Sequence, residues 1–136
     1  MSFARRVFIG AGIWGIAALL PLYFLVDLGG RRYPAPTEVP HFFYGFVSVA
    51  TAWQIAFLVI GTDPVRFRPL MLPSILEKLG YVVGTTALYL QGHISPTDAG
   101  SAVPDGLLLL LFVMAFLKTP SHAHGVTSDR HRSSHR

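Results

Sequence analysis

A chain of 136 residues holds one domain, and with 51% hydrophobic residues, 13% charged residues and a mean hydropathy of +0.49 it departs from the globular average toward lipid. The absence of cysteine excludes disulfides, thiolate metal sites and thiol redox chemistry, dithiol enzymes linked to quinones among them. The net charge of +4 comes from basic residues that flank apolar runs or lie in the tail, which reads as a membrane-orientation signal and gives nucleic-acid binding no support.

Crossing a hydrocarbon layer about 30 Å thick takes about 20 apolar residues per helix. Four such segments nearly exhaust the chain, at about residues 7–28, 41–60, 70–91 and 102–117, so the predicted architecture is an all-α integral membrane four-helix bundle within residues 1–120. The first segment follows Arg5 and Arg6; its apolar run is too long for a signal peptide and no small-residue cleavage site follows it. Gly10, Gly12, Gly15, Ala17 and Ala18 offer small surfaces for close helix contact, and Pro21 is expected to bend the outer end. Residues 29–40, GGRRYPAPTEVP, read as a loop with extended pieces.

The second helix opens with Phe42, Phe43 and Tyr44, an aromatic belt suited to the headgroup level. Gly45, Ser48, Ala52 and Ala56 follow at three- and four-residue spacing, a ridge predicted to pack against a neighbouring backbone, with Trp53 and Gln54 deeper. In the turn at residues 61–69, Asp63 and Pro64 stand as an N-cap and first-turn proline, so a short interfacial helical turn is expected. The third helix begins near Leu70, where Pro73 either starts it afresh or kinks it, and it carries Glu77 and Lys78 inside its apolar run before Gly80 and Gly84. The loop at residues 92–104 has no lysine or arginine, and the fourth helix ends at Lys118 and Pro120. Residues 121–136 are polar, His-rich and unpatterned, a predicted disordered tail. Arg5, Arg6, Arg66, Arg68, Lys118, Arg130, Arg132 and Arg136 fall on one side, against Arg31 and Arg32 on the other, which places both termini in the cytoplasm.

The charged third helix carries the main functional question. Residues 79–90 alone reach only about 18 Å, so the span must extend back through Glu77 to Leu70, putting Glu77 about 10 Å inside the cytoplasmic boundary. The same ruler puts Trp14, Trp53 and Gln54 at that level. Glu77 shares a face with Gly80 and Gly84, the predicted packed face, and its carboxyl is thereby aimed between helices, with the Gln54 amide as partner. An intramembrane acid reads as a ligand-binding or proton-responsive group. The plainer reading is that both side chains lean toward the cytoplasmic helix start and snorkel, which is the expectation adopted for Lys78.

Asp105 admits two readings as well. A full fourth span must reach back past it, which puts it in the outer third near Tyr89, Gln91, Tyr44, His41, Tyr23 and Asp27, an outer polar pocket. The preferred alternative makes it the N-cap of a short helix after Pro104. In the tail, His122, His124, His131 and His135 include a metal-compatible HxH spacing, but they lack acidic or thiol companions, so a solvated tail touching anionic headgroups is expected and no metal site or cofactor is assigned. No nucleophile with a base, phosphate loop or HExxH motif appears, and no catalytic residue is assigned.

The run HFFYGFVSVATAWQIAFLVIGTDPVRFRPLMLPSILEKLGYVVGTTALYLQG, which covers roughly the second and third helices, resembles the middle of small four-helix bacterial inner-membrane proteins, broadly DoxX-like. The resemblance implies a bacterial inner membrane and transfers no catalytic motif. Small multidrug exporters are also four-helix chains, but their essential acid lies in the first helix, where residues 7–26 here have none. The leading functional reading is a non-enzymatic accessory subunit or small apolar-ligand-binding bundle. The alternative is a proton-coupled small-molecule transporter or lipid-modifying membrane enzyme using Glu77, with Gln54 orienting it and Asp105 guarding the outer side. The small-residue faces also suit joining of copies into a homo-oligomer or a larger membrane complex.

Overall fold

The computed structural model describes residues 2–28 and 40–121; the predicted first loop and the His-bearing tail lie outside the described residues. The elements are α1 (Phe3–Leu28), α2 (Pro40–Thr62), a 3-10 turn (Arg68–Leu70), α3 (Met71–Leu90), a short α4 (Pro96–Ala99) and α5 (Ala102–Lys118). Three segments are long and apolar enough to cross a membrane: Phe3–Phe24, His41–Thr62 and Pro96–Lys118, the last running α4 and α5 together. The 20-residue α3 is not among them, because Glu77 and Lys78 interrupt a short apolar run.

Local chemistry accounts for the joints. Asp63 accepts the Arg66 backbone N–H at 3.1 Å, which winds residues 63–67 into the expected helical turn ahead of the 3-10 segment. Pro73 falls in the first turn of α3, where a missing N–H is harmless. At the other end of α3, Gly92 takes φ +73, the His93 N–H reaches the Leu88 carbonyl and the Gly92 N–H reaches that of Tyr89, a Schellman closure that only a glycine adopts without strain. Ser95 then caps α4, accepting the Asp98 N–H at 3.1 Å.

The helices alternate in direction. Gly61 at the end of α2 abuts Ile9 near the start of α1, and Lys118 at the end of α5 lies 4.6 Å over the ring of Phe3. Both the start of α1 and the end of α5 therefore sit at one end of the bundle. That end is the tightly packed one. Phe8 stacks on Phe112 at 4.4 Å, Phe57 meets Phe112 edge-on at 4.9 Å, and Ala4, Ala11, Ile60, Met71 and Ala115 fill in around them, all buried. Each aromatic pair contributes about 0.5–1.5 kcal/mol beyond area burial, a gain that survives in lipid because it comes from contact geometry. Arg68 ties the same end together: its Nε–H donates to the Thr119 carbonyl at 2.8 Å and its guanidinium lies 3.9 Å over Phe116.

The pairing of helices departs from the sequence expectation. α1 packs along α2 and also touches α5, α3 packs along α5, and α2 meets α3 only sparsely. A Cβ added at Gly45, Gly80 or Gly84 would meet nothing within 4 Å, and Ala52 is exposed. Ser48 is also exposed, although its hydroxyl bonds to Tyr23 of α1 at 2.9 Å. Ala56 is half-buried. The close approach lies instead between α1 and α2, where a Cβ at Gly12 would come within 2.8 Å of the Gln54 carbonyl oxygen and one at Gly61 within 2.5 Å of Ile9. Small residues permit close contact but do not compel it, and here those of α3 have no facing helix.

Candidate functional site

Away from the aromatic plug, the α1–α2 hairpin and the α3–α5 hairpin separate and leave a cleft of about 400 Å³. Its walls are apolar, supplied by Ala18, Leu19 and Leu22 of α1, Phe46 and Ala50 of α2, and Leu108 of α5. Its polar groups are Gln54, Glu77, Lys78, Tyr81, Ser101 and Asp105.

The buried face of α3 determines which charges reach the cleft. Met71, Ser74 and Lys78 form its buried stripe at helical spacing, and Ser74 satisfies its hydroxyl by donating to the Leu70 carbonyl at 2.7 Å. Lys78 is only 5% exposed. Its ammonium lies 2.6 Å from Asp105 Oδ1 and 3.2 Å from Glu77 Oε2, donates to Glu77 Oε1 at 3.4 Å, and sits 5.5 Å over the Phe57 ring. Snorkelling is thereby overturned for Lys78. The side chain turns inward because Asp105 offers a counter-charge inside the bundle, a better partner than distant headgroups.

Asp105 is likewise not an N-cap: α5 starts at Ala102, and Asp105 occupies its first turn with the carboxylate on Lys78. It belongs with Glu77 in one site, rather than to a separate outer pocket. Measured from the Arg68–Thr119 contact at about 1.5 Å per residue, Asp105 stands roughly 21 Å along α5 and Lys78 roughly 15 Å along α3. The four-carbon stem of the lysine closes that difference.

Glu77 lies beside this pair, its side chain 24% exposed. Its Oε2 is buried and within ion-pair reach of Lys78, but makes no hydrogen bond. Gln54 is buried, donates to the Ala50 carbonyl at 3.0 Å, and lays its amide against Gly15, where even a methyl group would collide with it. Tyr81 and Ser101 bridge α3 to the start of α5 at 2.9 Å; because the Ser101 hydroxyl donates to the Asp98 carbonyl, Tyr81 is the donor in that bridge. Trp14 lines the cleft and is 59% exposed.

Of the residues singled out from the sequence, Trp14, Gln54, Glu77 and Asp105 meet at this one cleft. Trp53 instead packs against the aromatic core, 6.1 Å from Phe57, and Tyr89 is exposed near the end of α3. Lys78 as an inward group, Tyr81 and Ser101 were not anticipated. The spacing of Ser74, Lys78 and Tyr81 on one face of α3 is the signal that points to the first two.

Two carboxylates share one ammonium, so at ordinary ionisation the cluster carries one negative charge in excess. Among the described residues no group of three His, Cys, Asp or Glu gathers to hold a metal ion. No protein family, characterised protein or solved structure matches this chain.

Proposed function

We propose that this chain is a four-span integral membrane protein that binds a small amphiphilic molecule in the cleft between its two helical hairpins, without chemical conversion. The observation that carries this reading is the cleft itself: apolar walls from three helices converge on a few fixed polar groups, the usual make-up of a small-molecule site. α3 completes the fourth span, its charges directed inward to Asp105. The excess of Lys and Arg at the packed end supports a cytoplasmic location for that end, and the DoxX-like resemblance supports a bacterial inner membrane.

The test uses 2-phenylethanol, a neutral amphiphile, titrated calorimetrically into the full chain in nanodiscs, with empty discs subtracted. The native chain is expected to bind it saturably, and Ala50→Phe, which fills the cleft wall, is expected to abolish the binding at unchanged helix content. Identical titrations for the two proteins would sink the reading.

A second reading, proton-coupled transport through Glu77, is favoured by the excess negative charge, which one proton neutralises. It predicts proton uptake on ligand release from liposomes, abolished in Glu77→Gln.

A further inference from the structure

We propose that the occupant of the cleft is a small primary amine in its protonated form, with an aromatic or branched apolar body. This inference rests on the reading of the cleft as a small-molecule site. It follows from the distribution of charge around the cavity.

The polar groups that share the cleft with Glu77 are Lys78 and Tyr81 on its own helix, Asp105 and Ser101 from α5 and the residue before it, and Gln54 from α2. Lys78 is the only cation among them, and its shortest contact goes to Asp105 at 2.6 Å. Glu77 keeps the longer contacts, 3.2 and 3.4 Å, and both acids line the cleft with side chains 24% exposed, so the charge that meets the cleft is negative. Two carboxylates that share one ammonium in a weakly polar surrounding leave one charge uncompensated, and an N–H donor carrying positive charge offsets it through charge-assisted hydrogen bonds. A primary ammonium supplies three such donors.

An anion finds no such welcome. Lys78 is screened beneath the two acids and over Phe57, its side chain only 7% exposed, so an anionic ligand would have to displace a carboxylate. Phosphate-bearing lipid headgroups are disfavoured on the same ground. The walls select the remainder of the ligand: Trp14 offers an exposed indole in the same cleft, suited to a cation near its face, while Leu19, Leu22 and Phe46 line the space for an apolar body.

The experiment compares three probes of one shape on the full chain in zwitterionic nanodiscs by calorimetry: 2-phenylethylamine, 2-phenylethanol and 3-phenylpropanoate. The amine is expected to bind about ten-fold more tightly than the alcohol, and the carboxylate more weakly than either. Glu77→Gln is expected to bring the amine down to the affinity that the alcohol has for the same variant. The amine-to-alcohol ratio on the native chain decides the proposal even if Glu77→Gln does not fold. Equal affinities, or preference for the carboxylate, overturn the amine assignment and leave the cleft as a ligand site. Failure of all three probes to bind overturns the cleft reading as well.

Discussion

Lys78 is held by two acids, and that redundancy predicts a strong non-additivity. With an effective dielectric of about 20, an ammonium and a carboxylate at the Asp105 distance of 2.6 Å attract by about 6 kcal/mol, and at the Glu77 distance of 3.2 Å by about 5 kcal/mol. Those attractions largely offset the desolvation of the ions, so neither figure is a net stability, but their near equality means that either acid alone can neutralise the lysine. Asp105→Asn should therefore cost about 1–2 kcal/mol, chiefly the shorter charge-assisted hydrogen bond, and Glu77→Gln about 1 kcal/mol or less, since it also removes repulsion between the two acids. The double variant leaves a buried ammonium with no counter-charge and should cost about 3–5 kcal/mol. At the middle of these ranges the coupling between the two sites is about 1.5–2 kcal/mol. Reversible unfolding in mixed micelles, followed by helix content, measures all four proteins of the cycle. Additivity within about 0.5 kcal/mol would refute the shared-counterion account, as would a double variant no weaker than Asp105→Asn.

Other consequences are open to direct measurement. Gly12→Ala should lose about 1–3 kcal/mol, because its methyl meets the Gln54 backbone carbonyl, whereas Gly80→Ala should be neutral or stabilising by up to about 1 kcal/mol; thermal melting of the pair in one detergent compares them. Arg68→Ala should loosen the end of α5, seen as faster amide exchange over residues 115–119, and Arg68→Lys should fail to restore protection because an ammonium lacks the planar group that lies over Phe116. Phe112→Ala opens the aromatic plug and should cost about 3–5 kcal/mol in the same unfolding assay. The chain has no cysteine, so Ser2→Cys, His93→Cys and Ser121→Cys each report one position by thiol labelling of intact cells. His93→Cys should react with an impermeant reagent and the other two only with a permeant one; labelling of Ser2→Cys and Ser121→Cys from opposite sides would contradict the four-span topology.

Much of the site was legible in single positions and little of it in their pairing. Glu77, Asp105, Gln54 and Trp14 are conspicuous because polar or amphipathic groups inside apolar runs are rare, and counting residues along each helix placed Gln54 and Trp14 at the depth of Glu77. Lys78 was misplaced because the tendency of a lysine to snorkel is a property of one helix, while the partner that overrides it lies 27 positions away on another. Trp53 and Tyr89 were equally conspicuous, yet their rings face the core and the exposed surface, directions that depth alone does not specify.

The sequence by itself determined the class of molecule: helices, their extents to within a few residues, three of the four predicted spans as segments long and apolar enough to cross a membrane, the capped turn at Asp63, and the shared level of Trp14, Gln54 and Glu77. These follow from local composition and from a fixed rise per residue. Only the tertiary structure decided which face of each helix turns inward, that α3 pairs with α5 rather than α2, and that Gly12, Gly15 and Gly61 carry the close approach while Gly45, Gly80 and Gly84 do not. The physical reason is that these helices carry large apolar side chains on their exposed faces as well as their buried ones. A helix apolar all round carries little record of its inner face, and the choice falls to shape and to the one charge pairing that crosses the bundle, Lys78 with Asp105.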